Sequence, residues 1–272
     1  MQEMGFCQFS RVRQHAGVRK ESRTRMTDAL RAETIHISGD GGEDIEAYLA
    51  QPLGDGPFGG VVVIHHMPGY DEATKEMTRR FAAHGYLALC PNLYWREAPG
   101  ASSDDAYAIA RARRGVPDER LVGDVDGAAT YLKSLASSSG KIATIGYCSG
   151  GRQSFLAACS LSLDAAVNCY GAFVVAPPPQ EAPTSATPIL HLAKNLSCPL
   201  LGLFGKDDKV PTPAEVAELE QELAAHKKTY EFHMYDDAGH AFFATDRPSY
   251  RPEAANAGWK AIWEFFGRYL SD

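Results

Sequence analysis

The chain is short of paired cysteines, of positive charge and of long apolar runs. Its six cysteines are Cys7, Cys90, Cys148, Cys159, Cys169 and Cys198. None forms a CxxC pair, which argues against zinc and thioredoxin-type redox sites. Buried free thiols of a reducing, cytoplasmic setting are the plain reading of Cys90, Cys159 and Cys169. The net charge is −7, which argues against a nucleic-acid partner or a polybasic membrane contact. No apolar run approaches the roughly 18 residues of a membrane-spanning helix.

What is present is an ordinary globular composition over 272 residues, 44% hydrophobic and 10% aromatic. That is enough for one large core. Residues 1–25 stand apart, with six Arg or Lys against two acids and no apolar segment of the secretory kind. They read as a disordered basic tail or as sequence ahead of a start at Met26, with an Arg-rich transit peptide as the lesser alternative. Residues 26–272 read as a single domain.

From about Thr34 the pattern is regular. "ETIHISGDGGEDIEAYLAQP" predicts two strands joined by a Gly-rich hairpin turn. Residues 59–66, 86–90, 141–147, 164–170, 198–205 and 229–235 predict strands. Helices are expected over 72–84, 103–114, 118–136, 149–160, 212–226 and 252–270. Residues 176–188 form a Pro-rich surface loop that could cover a site. Strands alternating with helices imply an α/β fold, a mostly parallel central sheet flanked by helices on both faces.

The segment "ATIGYCSGGRQSF" is a strand, a tight turn and a helix. Strand, G-x-nucleophile-x-G, helix is the layout of a nucleophile elbow, with Cys148 at its apex. Gly146, Gly150 and Gly151 allow the close approach of strand and helix. The positive end of the following helix favours the thiolate of a thiol placed there. The Ser149 N–H is placed to bind an oxyanion. A packing cysteine, or Ser149 as nucleophile, is the competing reading of the same turn.

A nucleophile of this kind needs a histidine and an orienting acid, in the chain order nucleophile, acid, base. "LLGLFGKDDKVPTP" is a strand ending at Asp207 and Asp208, with Asp208 preferred. "HMYDDAGHAFF" is a strand ending in a turn that carries His240. Taken singly, the first is a solvated turn and helix cap and the second a surface histidine. Together, each lies past the carboxyl end of a strand, where open α/β sheets bind ligands.

With these residues in view, the chain from about residue 32 onwards resembles the dienelactone hydrolase family of α/β-hydrolases, also called carboxymethylenebutenolidases. The resemblance is carried by "VVVIHHMPGYDE", "GYLALCPNLYWREAPG", "GYCSGGRQ", "YGAF", "LFGKDDKVPTP", "DAGHAFF" and "RPSYRPEAANAGWKAIWEFF". It implies Cys148 as nucleophile, His240 as base, Asp208 as its partner, and an oxyanion hole from the N–H groups of Ser149 and Met67. It also implies substrate contacts from Arg96, suited to a carboxylate, and from Tyr170, which could equally be a wall residue. His66, counted with them as a substrate contact, stands where the family carries a glutamate beside the cysteine, and Ala244 stands where a second arginine is expected. The implied substrate is a small ester or lactone, anionic or neutral, hydrolysed through a thioester. The implied protein needs no cofactor and no metal, and works as a monomer or weak homo-oligomer.

Overall fold

The computed structural model describes residues 30–67, 69–182 and 184–271. The basic tail expected over residues 1–25 lies outside them. The described chain opens with an antiparallel hairpin of β1 (Leu30–Ser38) and β2 (Asp44–Pro52), in register from Leu30 opposite Pro52 to Ser38 opposite Asp44. Gly41 and Gly42 make the turn at φ 64° and 80°, a conformation open to glycine at little cost. β1 begins at Leu30 rather than near Thr34. It is an edge strand whose side chains are mostly exposed or half-buried, so pairing with β2 defines it and hydrophobic patterning does not.

There follow β3 (Phe58–Ile64), α1 (Glu72–Ala83), β4 (Leu87–Pro91), α2 (Ser103–Ala112), α3 (Asp118–Ser134), β5 (Ser138–Tyr147) and α4 (Ser149–Ser160). The rest are β6 (Ala165–Cys169), β7 (Leu200–Gly205), α5 (Pro213–Ala225), β8 (Tyr230–Tyr235) and α6 (Pro252–Tyr269). The sheet order is β1-β2-β4-β3-β5-β6-β7-β8. β2 joins β4 antiparallel, and every pairing from β4 to β8 is parallel. This is the mostly parallel α/β sheet that the alternation of strands and helices predicts.

Side chains alternate across the sheet and build two cores. Val62 and Ile64 of β3 pack with Leu121 and Val125 of α3, Phe155 of α4 and Leu219 of α5. Val61 and Val63 pack on the other face with Phe81 of α1 and Trp259, Phe265 and Phe266 of α6. Full burial of one such side chain contributes roughly 1.5–3 kcal/mol. Helix starts follow local chemistry. Asp71 caps α1 by accepting from the Thr74 N–H, and Thr212 and Glu215 form a capping box on α5 with Pro213 in its first turn. The Pro-rich stretch is irregular, as expected. A short 3-10 turn after it, Leu190–Asn195, has no signal in the sequence pattern. No helix among the described residues is long and apolar enough to cross a membrane.

Candidate active site

The carboxyl ends of β3, β5, β7 and β8 open on one edge of the sheet, and the candidate residues follow them directly. Cys148 sits between β5 and α4 at φ 56° and ψ −121°, a conformation that costs a non-glycine residue of the order of 1–3 kcal/mol. The neighbouring glycines make that geometry possible. A Cβ on Gly146 would overlap the Gly150 carbonyl, one on Gly150 the Ile64 carbonyl, and one on Gly151 would come 2.6 Å from the Cys169 carbonyl oxygen. The turn is pinned by the Cys148 N–H donating to the Cys169 carbonyl at 3.1 Å.

His240 and Asp208 converge on this apex. His240 Nδ1 lies 3.0 Å from Asp208 Oδ2, and Cys148 as well as Asp208 favours a charge on the same imidazole. Asp208 is 2% exposed, and its other oxygen accepts from the Val210 N–H at 2.9 Å. Asp207 points to solvent. Burial opposes a charge on His240, but hydrogen bonds with Asp208 and Cys148 outweigh it and push the pKa up to about 10. The imidazole is therefore charged at neutral pH.

Met67 and Ser149 border one cavity of about 190 Å³ beside the elbow. Neither backbone N–H has a hydrogen-bond partner among the described residues. His65 and His66 point to opposite sides. His65 is buried, its Nδ1 is 3.0 Å from the His66 carbonyl and its Nε2 accepts from the Leu93 N–H at 3.2 Å. Burial lowers its pKa to about 4, so it is a neutral clamp between the loops after β3 and β4. His66 Nε2 lies 3.1 Å from Asp71 Oδ2 and borders a second cavity, of about 630 Å³, with Phe243, Ala244 and Thr245. Burial works against the Asp71 charge, but bonds from His66 and Thr74 hold its carboxyl well below the usual range. Among the described residues no three His, Cys, Asp or Glu side chains are grouped to hold a metal ion.

Two expected substrate contacts are placed elsewhere. Arg96 borders neither cavity. Its guanidinium donates to Asp124 at 2.8 and 2.9 Å, to Glu43 and to the Asp40 carbonyl. Asp124 is fully buried, so Arg96 compensates an interior charge and ties α3 to the hairpin turn. Tyr170 is 2% exposed at φ 41° and packs edge-on beneath His240, with ring centroids 5.2 Å apart. It supports the imidazole from below and lines neither cavity.

Sequence reasoning also missed residues. Arg152 is 3% exposed and lines the cavity beside Ser149, one helical turn further along α4. Its Nη1 and Nη2 donate to the two Asp118 oxygens, each at 2.8 Å, and Nη2 also donates to the Thr187 carbonyl. The spacing of Ser149 and Arg152, three apart on one helix, was the available signal. Its partner Asp118 is remote in sequence and left none.

A mostly parallel sheet with a strained cysteine at a strand–helix elbow, and an Asp–His pair beside it, defines the chain as an α/β-hydrolase. Its sequence matches the dienelactone hydrolase family over residues 45–270, and the chain belongs to that family. It is 34% identical over 231 residues to the Escherichia coli (strain K12) protein named "Putative carboxymethylenebutenolidase", covering 84% of each chain. It is 30% identical over 234 residues to a Bradyrhizobium protein named "Probable 2-oxo-3-(5-oxofuran-2-ylidene)propanoate lactonase", covering 86% of this chain and 92% of that one. The crystal structure titled "Putative Dienelactone Hydrolase" from Klebsiella pneumoniae superposes with a TM-score of 0.78 at 30% identity, covering 89% of this chain and all of that one.

Proposed function

We propose that this hydrolase cleaves small esters or lactones through a thioester on Cys148, with His240 and Asp208 completing a triad. The observation that carries the reading is the His240 imidazole paired with the buried Asp208 beside the strained elbow cysteine. The Cys148 sulfur attacks the carbonyl carbon as a thiolate, and a C–S bond forms. The carbonyl oxygen gains the charge and is held by the N–H groups of Ser149 and Met67, where one such donor is typically worth about 3 kcal/mol. When the tetrahedral intermediate collapses, the C–O bond breaks and the departing oxygen takes the proton of His240 as the alcohol leaves or the ring opens. The neutral imidazole, oriented by Asp208, then takes a proton from water, which attacks the thioester. The C–S bond breaks, the acid is released and the thiolate returns.

A general carboxylesterase or thioesterase acting on a neutral acyl group is the second reading. It is favoured by the engagement of Arg96 with Asp124 and Glu43, which leaves it no part in holding a substrate carboxylate. The test is kcat/KM on a dienelactone beside p-nitrophenyl acetate, for wild type and Cys148→Ala. Loss of both activities in a folded Cys148→Ala protein is expected, together with inactivation of the wild type by iodoacetamide. A Cys148→Ala variant with the wild-type rate removes the triad. A dienelactone value well above the acetate selects the lactone reading over the general esterase.

A further inference from the structure

Cys148 and Tyr170 hold positive φ, 56° and 41°, at the ends of the neighbouring strands β5 and β6. Neither is glycine, and strain of this kind persists only where the surroundings over-determine it. The turn after β6 touches two members of the proposed triad. Its Cys169 carbonyl accepts from the Cys148 N–H at 3.1 Å, and its Tyr170 ring lies edge-on to His240 with centroids 5.2 Å apart. The Tyr170 N–H donates to the Leu203 carbonyl at 2.9 Å, which ties the turn to β7, the strand that leads to Asp208.

One side chain fastens this turn from inside. Asn168, the residue of β6 that pairs with Gly146 of β5, is fully buried. Its Oδ1 accepts from the Gly171 N–H at 2.8 Å, which closes a ring over Cys169 and Tyr170. The amide fills the room that two glycines leave. A Cβ on Gly151, in the first turn of α4, would come 2.7 Å from Asn168 Oδ1, and one on Gly171 would overlap it. The same oxygen is thus wedged between the helix that starts at the elbow and the turn that supports the imidazole. Asn168 Nδ2 has no hydrogen-bond partner among the described residues. Burying a donor without a partner costs stability, which offsets what the Oδ1 bond contributes to the fold. What the amide supplies is the acceptor that sets the turn.

We propose that Asn168 is a positioning residue of the triad: by fixing the turn over 169–171 it holds the Cys148 backbone and the Tyr170 ring beside His240, and so sets the thiol and the imidazole against each other. It acts through Cys169 and Tyr170 and not on the substrate. The inference rests on the triad reading above and deepens it.

The test is steady-state hydrolysis by wild type, Asn168→Ala, Asn168→Asp and Cys148→Ala, on whichever of phenyl acetate and a dienelactone the wild type cleaves faster, with thermal melting of each protein. In Asn168→Ala the Gly171 N–H loses its acceptor and Tyr170 is released from its strained φ. A misplacement of about 1 Å among reacting groups costs up to about a hundredfold in rate, so kcat is expected to fall about ten- to a hundredfold, with KM within about threefold of wild type. Asn168→Asp keeps an acceptor in the same place, and full burial favours its uncharged form, so it should recover most of kcat. A general loosening of the core would not be repaired by that exchange. A folded Asn168→Ala protein with the wild-type kcat overturns the proposal, as does a change confined to KM. A folded Asn168→Asp protein as slow as Asn168→Ala overturns it too. If Asn168→Ala does not fold, Asn168→Leu, of similar volume and without an acceptor, takes its place, and failure of both to fold makes Asn168 a residue of the fold alone. Cys148→Ala keeps the two readings apart. If it is inactive while Asn168→Ala matches wild type, only the role of Asn168 is lost, whereas a wild-type rate in Cys148→Ala removes the triad itself.

Discussion

His240 Nδ1 lies 3.0 Å from Asp208 Oδ2, while the adjacent Asp207 turns its side chain to solvent. The two acids share a loop and a charge, and differ only in where the backbone after β7 aims them. Asp208→Asn keeps the shape but replaces the acceptor that holds the imidazole, so kcat is expected to fall by about 10²–10⁴. Asp207→Asn should stay within about threefold of wild type, as an exposed side chain off the reacting atoms. Steady-state rates for the two variants check this, and equal losses would dissolve the distinction.

The charge on His240 has a kinetic consequence. On the proposed triad, the imidazolium that would protonate the leaving oxygen is present below its raised value of about 10 and is lost above it. The acylation rate should therefore be level through neutral pH and fall as pH rises through about 10. Burst kinetics with a chromogenic ester report that step, and a fall centred near the ordinary histidine value would contradict the ion pair.

His65 carries a stability signature of the opposite sign. Its pKa is about 6.5 in an unfolded chain and is lowered to about 4 in the fold by burial. Between those values the unfolded state binds more protons. The His65 contribution is thus complete above about pH 6.5 and is lost as pH falls towards 4, up to about 3 kcal/mol in all. His65→Gln keeps an acceptor for the Leu93 N–H and cannot titrate. Urea unfolding of both proteins from pH 7 to 4 should show the wild type losing stability faster, and parallel curves would remove His65 as the cause.

Arg96 is a structural residue whose removal should not discriminate substrates. Arg96→Ala strands the fully buried Asp124 carboxylate, and breaking a buried pair from one side costs about 3–5 kcal/mol. The melting temperature should drop sharply, and the KM ratio of anionic to neutral esters should not move. Replacing both partners, as in Arg96→Met with Asp124→Leu, should recover much of the loss, because no charge is then left alone. A change in the KM ratio of Arg96→Ala without loss of stability would return Arg96 to the substrate.

The strand–helix alternation, the elbow at Cys148 and the position of Asp208 and His240 past two strand ends were legible in the amino acids alone, and for a physical reason. They rest on local rules: apolar runs for strands covered on both faces, glycines where strand and helix touch, and polar turns at strand ends. The misplaced start of β1 came from the same source, since an edge strand is held by its partner's backbone and leaves little pattern. Arg96, Tyr170, Arg152 and Asp118 obey no local rule. Whether an arginine meets a buried aspartate, a substrate or water depends on which distant segment folds over it. Asp124 holds Arg96 away from the cavity beside Ser149, and Asp118, brought beside α4 by the crossing of α3, pairs with Arg152 in its wall. The proposed triad is written in short segments, whereas the walls of the cavities are contacts between segments far apart in the chain, which only the tertiary structure brings together.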